Sequence, residues 1–141
     1  MVIARDTLRQ DLFLEVYNDL NTNITDPLAR GKQWIFSRMP DTRAESFPGF
    51  PVIIVHIETT KENPTLDNDY SDVDAEVRVW IYSRVSKQTR TLPDQVDARF
   101  KMSNFPQFSF DTFDEDANSI TVNDQSIHWR RMSYFIGVDY L

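Results

Sequence analysis

The most strictly alternating segment of the chain is Val73-Asp74-Ala75-Glu76-Val77-Arg78-Val79-Trp80-Ile81-Tyr82-Ser83. Its odd-numbered side chains from Val73 to Ile81 are apolar, whereas the even-numbered ones are charged or aromatic. Successive side chains of a strand point to opposite faces, so the pattern predicts a central strand with one apolar and one amphipathic face. A small domain does not normally leave aromatics as large as Trp80 and Tyr82 in water. We therefore expect both faces to be covered.

Length, charge and composition restrict the class of protein. The 141 residues suit a single domain, 1–141, whose core needs no metal or crosslink. The absence of cysteine excludes a disulfide framework, thiol catalysis and thiolate zinc sites. A net charge of −7 disfavours contact with a phosphate backbone, so we expect no sequence-specific nucleic-acid binding. With neither a signal peptide nor an apolar run of about 20 residues, we expect an unprocessed chain without a membrane partner.

Two amphipathic helices are predicted. The first runs from Leu8 through Asn21, where apolar residues recur at helical spacing after a capping box that begins at Thr7.

The second helix has apolar residues four positions apart from Leu92 onward and is expected to end near Met102. Pro93 leaves two starts open. Either Thr91 is the N-cap and Pro93 lies in the first turn, which we favour, or a turn at Ser86 precedes a kink.

Two strands are predicted before the central one. Trp34–Arg38 is short, aromatic and β-branched, and it has to end before Pro40. A proline-rich loop, 41–51, leads into Val52–Thr59, a nearly continuous apolar run that is typical of a strand in the sheet interior. The polar and acidic stretch 61–72 then predicts a mobile connection between antiparallel neighbours. We favour a segment that orders against a partner over plain disorder.

A hairpin is predicted in the C-terminal third of the chain. Its strands are Phe105–Phe113 and Ser119–Val122, joined by an acidic turn at Asp114–Asn118.

The closing strand, Ile127–Leu141, is expected to pair with the Val73 strand. Its apolar residues change parity part-way, so we expect a β-bulge or break near Arg130 and Arg131. Together the elements predict an α+β single domain with a largely antiparallel sheet of four to six strands and two α-helices packed on one face.

Candidate catalytic and metal sites are sparse. His56 and Glu58 share one face of a predicted strand, and adding His128 gives a conceivable two-histidine, one-carboxylate metal site. A histidine in an apolar strand is more often a hydrogen-bonded core residue. No serine lies in a nucleophile-elbow context, and the chain has three glycines. We therefore predict no catalytic residues, metal or cofactor.

Charge segregates along the sequence. Basic residues cluster around the second helix, and carboxylates cluster in the preceding connection. A basic region and an acidic loop on different parts of one molecule favour head-to-tail association, which closes into a ring when the rotation per subunit permits. The aromatics of the central strand would supply the apolar part of this contact. The predicted subunit or partner interface comprises Asp67, Asp69, Asp72, Arg78, Trp80, Tyr82, Arg84, Lys87, Arg90, Arg130 and Arg131.

The order of elements resembles that of a known family. The best local match is Val77–Ser83 followed by the helix from Leu92 to Phe100. In this order the chain is similar to the tail terminator, or tail completion, proteins of long-tailed bacterial and archaeal viruses. The long loop 41–51 and the aromatic segment 105–113 depart from the family pattern, and either would suit a virus-specific contact.

The resemblance implies a structural virion protein of the head–tail junction, or neck. It implies a hexameric ring that caps the tail tube below the head connector, with an opening through which DNA passes, and no catalytic residues or cofactors. The partners would be other copies of the chain, the tail tube protein and the head connector proteins. The location would be the virion, after assembly in the host cytoplasm.

Two other functions stay open on the sequence alone. One is a non-catalytic acidic binding or inhibitor module, which a compact carboxylate patch on one rigid face would favour. The other is a small metal-dependent enzyme that uses the His56 and Glu58 face.

Overall fold

The computed structural model describes residues 2–3, 8–64, 71–101, 111–122 and 124–140. Within these ranges the elements are β1 (Val2–Ile3), α1 (Leu8–Asn23), β2 (Ile35–Phe36), β3 (Val52–Pro64), β4 (Ser71–Ser83), α2 (Gln88–Lys101), β5 (Asp111–Val122) and β6 (Gln125–Tyr140).

The strands form one mixed sheet with β4 at its centre. β4 pairs antiparallel with β3 on one side and with β6 on the other, and β2 extends the β3 side through a short parallel pairing. β6 is long enough to pair with β5 from Gln125 to Phe135 and with β1 at its far end. This arrangement confirms the predicted α+β fold, with a largely antiparallel sheet and two helices.

Both helices cover the same face of the sheet, which we call the helix face. On β4 this face consists of Ala75, Val77, Val79 and Ile81, all fully buried. Burying an aliphatic side chain of this size stabilises the fold by roughly 1.5–3 kcal/mol. Apolar residues four positions apart on each helix pack against it, namely Leu12, Val16 and Leu20 of α1 and Leu92, Val96 and Phe100 of α2.

The opposite face, which we call the second face, is covered differently. On β4 it comprises the even-numbered residues from Glu76 to Tyr82. Among the described residues, no helix contributes a side chain to the apolar cluster on this face. Instead, the loop between β2 and β3 folds onto it. The cluster consists of Phe50, Val52, Ile54 and Ile127, with Phe36, Phe47, Trp80 and Tyr82 packed against it.

The favoured start of the second helix is wrong. α2 begins at Gln88, so Thr91 lies inside the helix and is not its N-cap. The turn before it is closed by the Thr89 N–H, which donates to the Ser86 carbonyl at 3.1 Å. The Ser83 hydroxyl also accepts from the Val85 N–H and bonds the Gln88 side chain. These contacts start the helix a turn earlier than Pro93 alone suggests. Thr7 and Met102 lie outside the described residues.

The connection predicted at 61–72 is shorter than expected. β3 continues to Pro64 and β4 begins at Ser71, and these two residues are paired. The ladder passes an extra residue in β3 between Thr59 and Lys61, which the register shift there accommodates. Residues 65–70 are outside the described part of the chain.

The acidic turn predicted at Asp114–Asn118 is wrong, because this run lies within β5. The hairpin is instead formed by β5 and β6, and its turn is two residues long because Val122 pairs with Gln125. Asp124 has a positive φ of 61°, a conformation that Asn and Asp tolerate in two-residue turns. Charged residues are common in strands at a sheet edge, where β5 lies. Of the predicted first strand, 105–113, only the end is described.

The predicted bulge near Arg130 and Arg131 is also wrong. β6 pairs with β4 without a register shift from His128 to Tyr140. The apolar parity changes because different faces are buried along β6. Ile127 belongs to the second-face cluster, whereas Met132 and Tyr134 belong to the helix-face core.

Candidate interaction surfaces

Trp80 and Tyr82 lie side by side on the second face. Tyr82 is paired with Val52 of β3 and with Trp129 of β6, and Trp80 with Ile54. Both rings are half-buried against the chain's own loop, and burial raises the pKa of the Tyr82 hydroxyl. Part of the cover that the sequence predicted for these two aromatics is therefore supplied by the chain itself. The exposed part of each ring is the area that a partner could still bury.

Four polar side chains, His56, Glu58, Glu76 and Arg78, lie on the same face as Trp80. His56 Nε2 is 2.6 Å from Glu58 Oε1, and the Arg78 guanidinium donates to Glu76. Across the strands His56 pairs with Arg78, and Glu58 pairs with Glu76. The like-charged cross-strand pair, Glu58 and Glu76, is thus offset because each carboxylate is bonded to a side chain of its own strand, His56 or Arg78. The hydrogen bond from His56, together with its charge, lowers the pKa of Glu58.

The two histidines do not form one site. His128 pairs with Ser83, so it lies on the helix face, whereas His56 lies on the second face. In the described part of the chain no group of three His, Asp or Glu side chains could hold a metal ion. The two-histidine, one-carboxylate site considered from the sequence therefore does not form.

Three basic residues surround the start of α2. Arg84, Lys87 and Arg90 are all exposed, and we call them the basic end. The first turn of α2 contains no acidic residue. Positive charge near a helix N-terminus opposes the helix dipole and costs about 0.3–1 kcal/mol per residue. Helix stability therefore does not explain these residues.

Arg130 and Arg131 lie on opposite faces of β6. Arg130 pairs with Ile81 and so belongs to the helix face, where α2 packs. Arg131 pairs with Trp80 on the second face, which also carries Arg78. The two arginines of the predicted interface therefore lie on different surfaces, and Arg130 is on the side where α2 packs. Arg131 belongs with the aromatic surface.

Of the predicted acidic interface residues, the structure describes Asp72, which lies at the other end of β4. Asp72 is in β4, and its Cα is paired with those of Asn63 and Asp139. Asp67 and Asp69 belong to the segment that joins Pro64 to Ser71 and lie outside the described residues. β4 has 13 residues, so at about 3.3 Å per residue its two ends are about 40 Å apart.

Sequence reasoning missed one polar centre, which is built around Arg30. Its guanidinium donates to both carboxylate oxygens of Asp26, at 2.8 and 3.1 Å, and to the carbonyls of Pro48, Gly49 and Pro51. These bonds tie the loop after α1 to the loop that covers the second face. The signal available in the sequence was the four-residue spacing of Asp26 and Arg30, which suits an ion pair.

No protein-family model matches the chain, and no curated protein sequence matches it. No helix among the described residues is long and apolar enough to span a membrane. Function has to be inferred from the surfaces themselves.

Proposed function

We propose that the protein is a structural component of the head–tail junction of a long-tailed virus. In this proposal copies of the chain form a ring, hexameric as in the family it resembles, that caps the tail tube and joins it to the head connector. DNA passes through the opening, and no copy carries out catalysis.

The observation that carries the proposal is the difference in charge between the two ends of β4. Arg84, Lys87 and Arg90 lie at one end. At the other end the segment between Pro64 and Ser71 contains two aspartates and no basic residue. A junction ring binds a different protein on each side, so its two sides need different chemistry. Strands that run along the ring axis would present the basic end to one partner and the acidic end to the other.

The distance between these ends changes one earlier expectation. A contact between the basic end of one copy and the Asp67 region of the next would require neighbours displaced by about 40 Å along β4. We therefore assign the two ends to different partner proteins.

An acidic binding or inhibitor module receives less support. Such a module needs a compact patch of available carboxylates on a rigid face. The described carboxylates on the second face of β3 and β4, Glu58 and Glu76, are each bonded to a cationic or ionisable partner.

The test is a binding measurement with tail tubes and with head connectors of the same virus. The double variant Arg84→Glu, Lys87→Glu reverses two of the three charges of the basic end. Lys32→Glu, Arg43→Glu is the matched control, because it changes the net charge equally at two other exposed positions. We expect the first variant to lose at least about tenfold in affinity for one partner, or about 1.4 kcal/mol, and to keep the other. The control should bind both. A wild-type protein that binds neither partner at low salt would contradict the proposal.

A further inference from the structure

The sheet has two long edges. β2 ends at Phe36, opposite Ile54, so from Val55 to Pro64 β3 pairs with β4 alone among the described strands. At the other edge, β5 pairs with β6 and with no other described strand. We call Val55–Pro64 the open β3 edge. Backbone groups on an edge strand are a template for a strand from another molecule.

The backbone geometry shows which residues face outward. The Ile53 N–H donates to the Trp34 carbonyl at 2.9 Å, so the odd-numbered residues of β3 up to Thr59, where the register shifts, direct their backbone groups away from β4. On the open β3 edge these include Val55 and Ile57. In β5 the Ser119 N–H bonds its neighbour's side chain, Asn118 Oδ1, at 2.8 Å.

Space for an incoming strand exists beside the open β3 edge. A cavity of about 280 Å³ lies between α1 and residues 55–57 of β3. Arg9, Gln10 and Phe13 of α1 line one wall, and Ser37 lies where β2 ends. An extended segment in this groove would contact the backbone of β3 and the side chain of Phe13.

Strand direction favours β5 of a second copy as this segment. In the order β5, β6, β4, β3 every neighbouring pair is antiparallel, so the first and last strands run in opposite directions. A second copy related by rotation about an axis along the strands would place its β5 antiparallel to β3. The alternation of the sheet then continues from one copy to the next.

Charge points to the same pairing. β5 contains Asp111, Asp114, Glu115 and Asp116 and no lysine or arginine, so two β5 edges repel each other. The open β3 edge has a basic residue, Arg9, beside it. Arg9 lines its groove and lies close enough to contribute, after His56, to the low pKa of Glu58.

We propose that copies of the chain associate head to tail by antiparallel pairing of the open β3 edge with β5 of the neighbouring copy. This inference rests on the proposed ring and specifies how its subunits are joined. Pairing unlike edges leaves one open edge at each end of a row of copies, so closure into a ring removes the last two.

Cysteine crosslinking tests the pairing, because the chain has no native cysteine. Glu58 and Asn118 both lie on the second face, since Glu58 pairs with Glu76 and Asn118 with Trp129. Glu58→Cys is combined with Asn118→Cys or with Ile120→Cys, and the pairs are oxidised at a concentration where sedimentation shows oligomers. The matched controls combine Glu58→Cys with Ser119→Cys or Thr121→Cys, whose side chains point to the other face.

We expect a ladder of crosslinked oligomers from at least one even-numbered pair, at least about tenfold stronger than from the odd-numbered controls, because only paired Cβ atoms reach disulfide distance. A second variant, Thr59→Pro, removes one outward N–H without breaking the β3–β4 ladder, and we expect it to abolish the oligomer while the circular dichroism spectrum is kept.

Two results would overturn the pairing and leave the ring intact. One is an oligomer that crosslinks equally well through the even-numbered pairs and the odd-numbered controls and that still forms in the Thr59→Pro variant. The other is a dimer crosslinked by Glu58→Cys alone, which would indicate β3–β3 pairing. Absence of any oligomer, both in solution and on tail tubes, would overturn the pairing and the proposed function together.

Discussion

Arg99 and Asp19 join the two helices through a two-pronged ion pair. Arg99 Nε lies 2.8 Å from one carboxylate oxygen of Asp19, and Nη2 lies 2.8 Å from the other. The residues are 80 positions apart, and both side chains are largely buried. The hydrogen bond to Asp19 raises the pKa of Arg99, so the guanidinium stays protonated at all ordinary pH values.

Asp19→Asn should lower the free energy of unfolding by roughly 1–3 kcal/mol, because the Arg99 charge loses its acceptor in a partly buried position. Urea unfolding measures the change. Glu15→Gln, an exposed position one turn earlier on α1, is the control and should change stability by less than about 0.5 kcal/mol. Equal effects of the two variants would show that the pair does not hold the helices together.

Asp26 gives the fold a dependence on acid. Burial by itself raises its pKa, but hydrogen bonds from the Arg30 side chain and from the N–H groups of Leu28 and Arg30, with the Arg30 charge, together lower it below 3.8. The folded state therefore holds the carboxylate more strongly than the unfolded state does. Its stabilising effect is present above about pH 4 and is lost as the pH falls through the lowered pKa.

Asp26→Asn should cost roughly 2–3 kcal/mol at pH 7 and much less near pH 2. Thermal unfolding of both proteins across this range measures the difference. An Asp26→Asn effect that is independent of pH would contradict the role assigned to the carboxylate.

Tyr134 connects β6 to α2. Its hydroxyl donates to Asp97 Oδ1 at 2.7 Å, and its ring meets Phe100 edge-on with centroids 4.7 Å apart. Tyr134→Phe keeps the ring and removes the hydrogen bond, so we expect a loss of about 1–2 kcal/mol in denaturant unfolding. Tyr134→Ala should cost about 3–5 kcal/mol, because a fully buried aromatic leaves a cavity. Similar values for the two variants would contradict the separate contribution of the hydroxyl.

The loop on the second face should control the environment of Tyr82. Burial raises the pKa of Tyr82 above 10.0, so its contribution to stability is lost as the pH rises through that raised value. Phe47→Ala removes part of the cover, and we expect the pKa of Tyr82 to fall toward 10. NMR of ¹³C-labelled tyrosine measures it, with Tyr82→Phe to assign the signal. Leu28→Ala, at an exposed loop position, should leave it unchanged, and a Tyr82 that does not respond to Phe47→Ala would contradict this packing.

The sequence predicted those elements in which one periodicity dominates. The alternation from Val73 to Ile81 identified the central strand, and the spacing of Leu92 and Val96 identified the second helix. Both patterns directly reflect burial against one continuous core.

The errors occur where two surfaces compete for one segment. The change of parity in β6 looked like a bulge because Ile127 and Tyr134 are buried on opposite faces. The acidic run in β5 looked like a turn because the pattern does not distinguish an edge strand from a loop. The spacing of Asp26 and Arg30 was visible, but the other partners of Arg30 are backbone carbonyls about 20 residues away, which no side-chain pattern records.

The most direct test of the ring is electron microscopy of tail tubes of the same virus mixed with the purified protein. We predict a ring of identical subunits at one end of each tube, with a central opening wide enough for DNA and the basic and acidic ends of the subunits on opposite sides of the ring. Tubes with both ends bare, together with a protein that sediments as a monomer at every concentration, would contradict the account.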